Sequence, residues 1–390
     1  MTDASRMLPR SVVGWIGLGL GALVLAGLPF VASAYYVGLI TKAMIAAMFA
    51  LSLHLLVGGT GLVSLGHGAF YGLAAYVVYL VSPEGAPRPI WMTLPAAITM
   101  ASLAALLIGA LSLRTTGFFF LMVTLAFGQM IFFVFHDTKL GGGTDGAYLG
   151  KPLLSAFGLV LDPLSLPRSK RGWPVYYAVL FQLIAVYLFL AYLLSTLFGR
   201  TLEGIRINEH RMRALGFNTY AYKVAAFTIA GLLAGIAGHA WSLHTGFVNP
   251  ELVGWHKSAE ALLMILLGGI NSLIGAVVGA LAYTALGEFA QAAGAYLSAF
   301  GSSLGDSVAG RRIVAVGHVL SERKLLIEGI VILLTVLVLR NGITGIGNRG
   351  WQEGLAVKNV ADDECDDARH RSAAEDGRKR ISRIGARGNG

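Results

Sequence analysis

The chain has 390 residues, of which 55% are hydrophobic and only 13% are charged, and its mean hydropathy is +0.68. So little charge cannot cover the surface of several soluble domains, so the composition indicates a polytopic helical membrane protein. The net charge of +9 does not indicate nucleic-acid binding, because 10 of the 30 Lys and Arg residues lie from Arg340 onward, as in the cytoplasmic parts of membrane proteins.

The first predicted element is a membrane helix over residues 12–32. A basic start, an apolar run and the triplet ASA at 32–34 together imitate a secretory signal peptide. The apolar run is about 20 residues long, however, whereas the core of a signal peptide has roughly 7–15. We therefore interpret this segment as the first transmembrane helix.

Hydropathy predicts nine further crossings along the chain. The crossing at 256–269 is shorter than the about 20 residues of a full span. We therefore expect 256–293 to form a broken or re-entrant pair of helices. The nine crossings are 36–57, 61–82, 90–112, 117–136, 174–198, 222–246, 256–269, 273–293 and 325–340.

The distribution of basic residues predicts the orientation. With the N-terminus inside, 18 of the 30 Lys and Arg residues face the cytoplasm, and most of the others lie in two long loops that count little in the positive-inside rule. The predicted fold class is an all-α polytopic membrane protein with about ten transmembrane or re-entrant helices and both termini in the cytoplasm.

The predicted organisation has three parts. They are a cytoplasmic N-terminus over 1–11, a permease domain over 12–340 and a disordered cytoplasmic tail over 341–390. Within the permease domain we predict an external loop over 137–173, a cytoplasmic loop over 199–221 and an insert over 297–324.

Motifs of soluble enzymes are absent from the sequence. There is no GxxxxGK[ST] phosphate loop, no HExxH and no cluster of His and Cys at zinc spacing. GGGTDG at 141–146 fits GxGxxG formally, but it follows a membrane helix and not a strand, so we treat the match as coincidental. The single cysteine, Cys365, excludes an internal disulfide. We expect no catalytic residue, cofactor, metal or nucleic-acid partner.

Polar side chains inside the apolar spans are the main candidates for function. Ionisable groups are costly in a membrane, so each indicates either a polar pathway or a paired structural contact, and the sequence leaves both open. The main ones are Lys42, His54, His67, Gln129, His239, His244, Glu260 and Glu288. As the translocation path we select Ser64, His67, Gln129 and Glu260.

The third span begins with the glycine-rich stretch GGTGLVSLGHGAFYG at 58–72. Three small residues recur there at every fourth position, a stripe that lets another helix approach closely. We assign helix packing to Ser64, Gly68 and Gly72, and to Gly231 and Gly235 in the seventh span. The glycines before the stripe, Gly58, Gly59 and Gly61, are expected to loosen the start of the span.

The hydrophilic segment at 199–222 predicts a short amphipathic helix. Four apolar residues fall on one face at helical spacing, and Gly216 is placed to end the helix. The apolar residues are Leu202, Ile205, Met212 and Leu215. Such a helix can lie on the membrane or dock into the groove of a partner, and the pattern leaves both open.

Five blocks, read in order, make the chain resemble the LivM-type permease subunit of branched-chain amino-acid ABC importers. The first and fourth are the most specific, and the resemblance covers most of 36–293. The blocks are ALSLHLLVGGTGLVSLGHGAFYGLAAY (50–76), LRTTGFFFLMVTLAFGQMIFFV (113–134), GGTDG (142–146), GRTLEGIRINEHRMRALGFNTYAYKVAAFTIAGLLAGIAG (199–238) and GFVNPELVGWHKSAEALLMILLGGINSLIGAVVGA (246–280).

The resemblance implies a set of partners in a bacterial inner membrane. They are a second permease subunit of similar type, two ATP-binding subunits on the cytoplasmic face, a periplasmic substrate-binding protein and membrane lipid. ATP hydrolysis then belongs to the partner subunits, which accounts for the missing phosphate loop. The implied ATPase-coupling residues are Leu202, Glu203, Ile205, Arg206, Glu209, Met212, Arg213, Ala214, Leu215 and Gly216. The loop implied to face the binding protein is Gly142, Gly143, Thr144, Asp145 and Gly146.

Three features depart from the family pattern. LRNGITGIG at 339–347 lacks the usual proline, the insert at 297–324 precedes the last span, and the tail is longer than typical. Import of urea or an amide by a similar permease remains an alternative. A second alternative is a self-sufficient secondary transporter or channel, which would more often pair charges at mid-membrane and would need no cytoplasmic docking helix.

Overall fold

The computed structural model describes residues 12–82, 88–149, 154–156, 159–161 and 172–303, with 311–312, 314–316 and 329. The chain separates into residues 1–343 and 344–390, and every described residue belongs to the first unit. The helices are α1 (Val12–Val31), α2 (Ala34–Thr60), α3 (His67–Val81), α4 (Ile90–Ser112), α5 (Phe118–Asp137), α6 (Trp173–Ser195), α7 (Leu197–Ile207), α8 (Glu209–Ala214), α9 (Thr219–Thr245), α10 (Trp255–Gly268) and α11 (Leu273–Ser303).

Six helices of the described part are long and apolar enough to cross a membrane. These are α2, α4, α5, α6, α9 and α11, while α3 and residues 19–31 of α1 are shorter apolar helices. Each of the six corresponds to a crossing predicted from hydropathy, which confirms a mostly helical, multi-pass membrane protein. The count of ten crossings and the side of each terminus stay predictions. The predicted tail over 341–390 lies outside the described residues, as does the last crossing except for Gly329.

Five short strands connect the loops, so the described chain is helical in its membrane part but not purely α. Strand β1 (Arg88–Pro89) pairs in parallel with β3 (Leu154–Ala156), which pairs antiparallel with β4 (Leu159–Leu161). Strand β2 (Ala147–Tyr148) pairs antiparallel with β5 (Phe247–Val248). A prediction from hydropathy misses these strands because it detects only the long apolar segments that cross a membrane, and such segments form helices.

Helix α9 lies at the centre and packs against α2, α3 and α4. Its small residues allow the close approach: a Cβ added at Gly231 would overlap that of Ala105, and one added at Gly235 would lie 2.7 Å from the Cβ of Ala101. One added at Gly238 would overlap the carbonyl oxygen of Tyr71. These glycines share one face of α9, and α3 and α4 both pack against it.

The third crossing was predicted to begin at 61, and this start is wrong. Helix α2 continues through Gly58 and Gly59 to Thr60, so these two glycines are helical and do not loosen the start of a span. Gly61 ends α2 in the left-handed conformation with φ +74°, a backbone geometry that glycine adopts without a steric penalty. Helix α3 therefore begins only at His67.

Two further boundaries differ from the prediction. Because Ser64 precedes α3, it is not part of a helical stripe, and the close-packing positions of α3 begin at Gly68. Helix α11 runs to Ser303, so residues 297–303 of the predicted insert continue a helix. Hydropathy ends a span where polar residues begin, although a helix can continue beyond the membrane.

Candidate translocation site and coupling segment

Helix α3 begins well inside the membrane part of the molecule. The Nε2 of His67, its first residue, lies 2.9 Å from the Oγ of Ser52 on α2. Ser52 is eight residues before the end of α2, which at 1.5 Å per residue is about 12 Å along the helix. Residues 61–66 therefore run back into the bundle without helical structure before α3 starts.

The non-helical segment is held closely against α5. A Cβ added at Gly66 would overlap the carbonyl oxygen of Thr124, and one added at Gly128 would lie 3.0 Å from the Cα of Gly66. Only glycine permits this backbone-to-backbone contact. Irregular backbone at membrane depth is tolerated where protein buries it or where it lines a cavity.

Helix α10 begins beside the start of α3. The backbone N–H of Gly68 donates to the Oγ of Ser258 at 2.7 Å, and a Cβ added at Gly68 would lie 2.9 Å from the carbonyl oxygen of Gly254. A Cβ added at Gly72 would lie 2.5 Å from Cγ2 of Val253. The first turns of two interrupted helices thus meet inside the bundle.

The geometry of α10 agrees with the expected broken or re-entrant pair. The helix has 14 residues, which is about 21 Å at 1.5 Å per residue, less than the roughly 30 Å of a hydrocarbon core. It ends at Gly268, and α11 follows directly. The turn between them reaches α2, where the Nε2 of His54 donates to the carbonyl oxygen of Ile270 at 2.8 Å.

A charged pair occupies the first turns of α10. The Nζ of Lys257 lies 2.7 Å from the Oε2 of Glu260, and both side chains are about one-quarter exposed, at 27% and 28%. The same ammonium lies 5.8 Å from the ring centroid of Trp241 on α9. Glu260 is among the residues predicted for the path, whereas Lys257 and Trp241 are not. The i,i+3 spacing of Lys257 and Glu260 in HKSAE indicates that the two side chains can pair on a helix.

Several buried polar atoms near this break have no hydrogen-bond partner among the described residues. Ser52 already donates its hydroxyl hydrogen to the carbonyl oxygen of Phe49 at 2.7 Å, so the Nε2–H of His67 donates to Ser52 and the Nδ1 of His67 is an acceptor without a partner. The Oγ of Ser64 and the Nε2 of Gln129 are also buried without a partner. Buried polar atoms without a protein partner are often satisfied by water or ligand.

The four residues selected for the path do not share one surface. Ser64 and His67 are buried within the chain, Gln129 is half-buried on α5, and Glu260 is partly exposed on α10. The ring of His67 stacks on that of Phe49, with the ring centroids 5.6 Å apart. In the described structure this histidine is therefore enclosed by aromatic rings and by the hydroxyl to which it bonds. Their role in translocation stays a prediction.

Some of the other polar residues of the spans form structural contacts. His239 on α9 lies 3.1 Å from the hydroxyl of Thr93 on α4, much as His67 meets Ser52. The hydroxyl of Tyr35 donates to the carboxylate of Glu288 at 2.6 Å. Lys42 is exposed and His244 is half-buried near the end of α9.

Replacing Ser52 with alanine should destabilise the protein by about 1–3 kcal/mol, because the buried ring of His67 then loses its only hydrogen bond in the described structure. The measurement is the thermal unfolding midpoint in detergent. Ser298→Ala is the matched control, since that exposed hydroxyl bonds only to its own helix. Equal midpoints for the two variants would contradict the assigned contact.

The single helix predicted near 202–216 is two helices. Asn208 is extended, with φ −157°, and its side chain accepts from the N–H of Arg211 at 3.0 Å, so it ends α7 and caps α8. Met212 then folds back onto Gly204 of α7, and Leu215 is 65% exposed. A single helix with both residues on one apolar face is therefore wrong, because the N-cap preference of asparagine outweighs the apolar spacing.

Helix α7 is anchored to the membrane helices, while α8 projects from them. Leu202 and Ile205 are buried, and the guanidinium of Arg206 donates to the carbonyl oxygen of Gly58 in the last turn of α2 at 2.6 Å. A cation at a helix C-terminus is favourable because the free carbonyl groups carry partial negative charge. All residues of α8 are at least partly exposed, and Gly216 follows it with φ +89°.

Glu209 joins α8 to the first turns of α9. Its carboxylate accepts from Lys223 at 2.5 Å, from Arg213 at 2.6 Å and from the hydroxyl of Thr219 at 3.0 Å. Burial alone would raise the pKa of this carboxyl, but the bonds from Lys223 and Arg213 outweigh burial and lower it. The stabilisation is therefore complete at neutral pH and is lost only in acid, as pH falls through the lowered pKa.

The loop 142–146 lies with β2 and β5, at the end of α9 opposite to α8. Gly142, Gly143 and Gly146 have positive φ values, and a 3₁₀ turn covers Gly143–Asp145. The N–H of Leu149 donates to the carbonyl oxygen of Gly246 at 2.8 Å, just after α9 ends. The hydroxyl of Thr144 donates to Asp145 within the turn at 3.4 Å. The predicted cytoplasmic and external loops thus lie at opposite ends of one helix.

Comparisons with known proteins identify the family. The sequence profile of the family described as branched-chain amino acid transport system / permease component matches residues 35–336. The high-affinity branched-chain amino acid transport system permease protein LivM of Escherichia coli (strain K12) is 32% identical over 273 residues, which are 65% of this chain and 63% of that protein. The match thus spans less than two thirds of that relative.

Two shorter matches come from other organisms or substrates. The probable branched-chain amino acid transport permease protein LivM of Methanocaldococcus jannaschii is 35% identical over 116 residues, or 29% of this chain and 33% of that protein. The autoinducer 2 import system permease protein LsrC of Escherichia coli O9:H4 is 32% identical over 148 residues, or 35% of this chain and 43% of that protein. No solved structure matches. The chain belongs to the family of permease components of branched-chain amino acid transport systems.

Proposed function

We propose that the chain is the permease subunit of a binding-protein-dependent ABC importer for branched-chain or related hydrophobic amino acids. The observation that carries the proposal is the family match over residues 35–336. The substrate class follows the name of the Escherichia coli relative with the longest alignment described above. Autoinducer 2 import, named for the relative LsrC, is the weaker candidate because its alignment covers 35% of this chain.

The partners proposed are a second permease subunit of similar type, two ATP-binding subunits and a periplasmic binding protein, in a bacterial inner membrane. The exposed helix α8 supports the docking of an ATP-binding subunit, since it projects from the membrane helices while Glu209 ties it to α9. Hydrolysis would take place in the ATP-binding subunits, and this chain would supply the path.

The proposed orientation places α8 in the cytoplasm and the 142–146 loop outside. Basic residues concentrate at the α8 end, where Arg206, Arg211, Arg213 and Lys223 lie, which agrees with the positive-inside rule. Binding protein would then approach the end that carries β2 and β5.

The test is the ATPase activity of the complex expressed from the genes that accompany this chain. We expect the permease to co-purify with two ATP-binding subunits, and binding protein loaded with leucine to stimulate ATP hydrolysis. A permease that purifies without ATP-binding subunits, or an ATPase that ignores the loaded binding protein, would contradict the proposal. If ATP hydrolysis is stimulated only by binding protein loaded with urea or an amide, the substrate is urea or an amide and not leucine.

A further inference from the structure

The structure assigns to the Lys257–Glu260 pair the recognition of a zwitterion: the carboxylate of the passing amino acid binds Lys257 and its ammonium group binds Glu260. The pair opens while substrate is bound and closes when substrate leaves. The inference rests on the proposed function, since it names the residues that meet the substrate on the path. It involves binding only, so no covalent bond changes.

The depth of the pair in the bundle is the first support. Lys257 lies over Trp241, which is four residues, or about 6 Å, from the end of α9 at Thr245. The next residue, Ser258, bonds to Gly68 in the first turn of α3, and α3 itself starts about 12 Å inside the opposite end. The pair therefore lies inside the ends of α9 and α2, where α3, α9 and α10 meet.

Charge at this depth is the second support. Ionisable side chains within a membrane are rare and usually mark a pathway or a pair. Lys257 and Glu260 neutralise each other at 2.7 Å, yet each side chain remains about one-quarter exposed, at 27% and 28%, so the pair is not fully enclosed by the chain. A zwitterion carries one charge of each sign. It can therefore supply each side chain of the pair with a new partner of opposite charge and leave no net charge in the membrane.

The surroundings of the pair suit an amino acid with an apolar side chain. Trp241 lies beside the ammonium of Lys257, and its ring lies 6.4 Å from that of Tyr71 on α3. The first turns of α3 and α10 meet here, and the N-terminal end of a helix favours a carboxylate. The buried Nδ1 of His67, one residue before Gly68, has no protein partner and is a further polar atom beside the break.

The pair differs from the ion cluster around Glu209. Glu209 is held by three donors from α8 and α9 that fix one junction. The bond between Lys257 and Glu260 joins two residues of the same helix, so opening it separates no helices. An ion pair between two residues of one helix, in a place where charge is costly, is suited to exchange with a ligand.

The experiment measures ATP-driven leucine uptake by the complete transporter in liposomes, with loaded binding protein, for the wild type and for Lys257→Gln, Glu260→Gln and the exchanged double variant Lys257→Glu/Glu260→Lys. Each single variant should lose about tenfold in uptake, as expected for one lost hydrogen bond to a charged group. The exchanged variant should recover part of this loss. Glu251→Gln, whose carboxylate accepts only from nearby Asn249 in the described part, is the control and should retain uptake.

Wild-type uptake by both single variants would overturn the inference, and so would an exchanged variant no better than the singles. The amount of each variant in the membrane should equal that of the wild type, which separates recognition from folding. If Glu260→Gln does not accumulate, Glu260→Asp replaces it: reduced uptake at normal abundance is expected, and full uptake overturns the inference. Absence of ATP-driven leucine uptake in the wild type would contradict the proposed function itself.

Discussion

Replacing Gly238 with alanine should destabilise the folded chain by about 1–3 kcal/mol, the usual cost of overpacking a well-packed core. The larger substitution Gly238→Leu should prevent folded protein from accumulating. The physical reason is that the Cβ would overlap the carbonyl oxygen of Tyr71, a backbone atom that cannot rotate away. Helices α3 and α9 would have to separate, and both of them contribute to the candidate site.

Gly38→Ala is the matched control for this prediction. Gly38 is also a glycine within a membrane helix, but a Cβ added there meets nothing within 4 Å. The measurement is the unfolding midpoint of each variant in detergent, with the amount of monodisperse protein as a second readout. Equal midpoints for Gly238→Ala and Gly38→Ala would show that α3 and α9 do not approach as described.

The second large effect is expected for Glu209→Gln. The substitution removes the charge that Lys223 and Arg213 share, and it leaves the ammonium of Lys223, whose side chain is only 11% exposed, without its ion partner. A buried charge that loses its partner is strongly unfavourable. Since the carboxylate ties α8 to α9, we expect ATP-driven uptake to fall at least about tenfold, the loss of one charged hydrogen bond, while basal ATPase activity persists.

Arg211→Gln provides the control on the same helix. Arg211 is exposed, and the hydrogen bonds given for it in the described residues involve its backbone, so the change removes a charge without breaking the junction. Uptake and ATPase activity are measured on the same preparations. Full coupling in Glu209→Gln would contradict the role of the junction, and equal losses in both variants would indicate that the charge of α8 matters and not its attachment.

The membrane part of the fold was predictable from the sequence because each long span carries a predominantly apolar run. The start of α3 was not, since Gly61 to Gly66 are apolar enough to extend a span while their backbone is not helical. Hydropathy measures transfer into lipid and carries no information on φ and ψ. The positive φ of Gly61 decides where α2 ends.

The candidate site was predictable only in part. Glu260 stands out in the sequence as an acidic residue in an apolar span, but its partner Lys257 lies at the same span's beginning and reads as a boundary residue. The role of Trp241 depends on the packing of α9 against α10 and leaves no trace in a single sequence. Likewise, Asn208 is a typical N-cap residue and so marks the break between α7 and α8 in the sequence. The helical spacing of the apolar residues on both sides of Asn208 concealed this break.

The charged pair also bears on the alternative class of protein. Paired charges within the membrane are more typical of a secondary transporter, whereas an exposed helix such as α8, outside the membrane helices, is expected for a chain that docks onto ATP-binding subunits. Family membership favours a permease that docks onto ATP-binding subunits over a secondary transporter. The two classes differ in the energy source that drives transport.

The most direct test is therefore leucine uptake into liposomes that contain this chain, with and without its proposed partners. We expect uptake only when the second permease, the ATP-binding subunits, loaded binding protein and ATP are all present, with none in any preparation that lacks one of them. Uptake by this chain alone, driven by an ion gradient and independent of ATP, would contradict the proposed function.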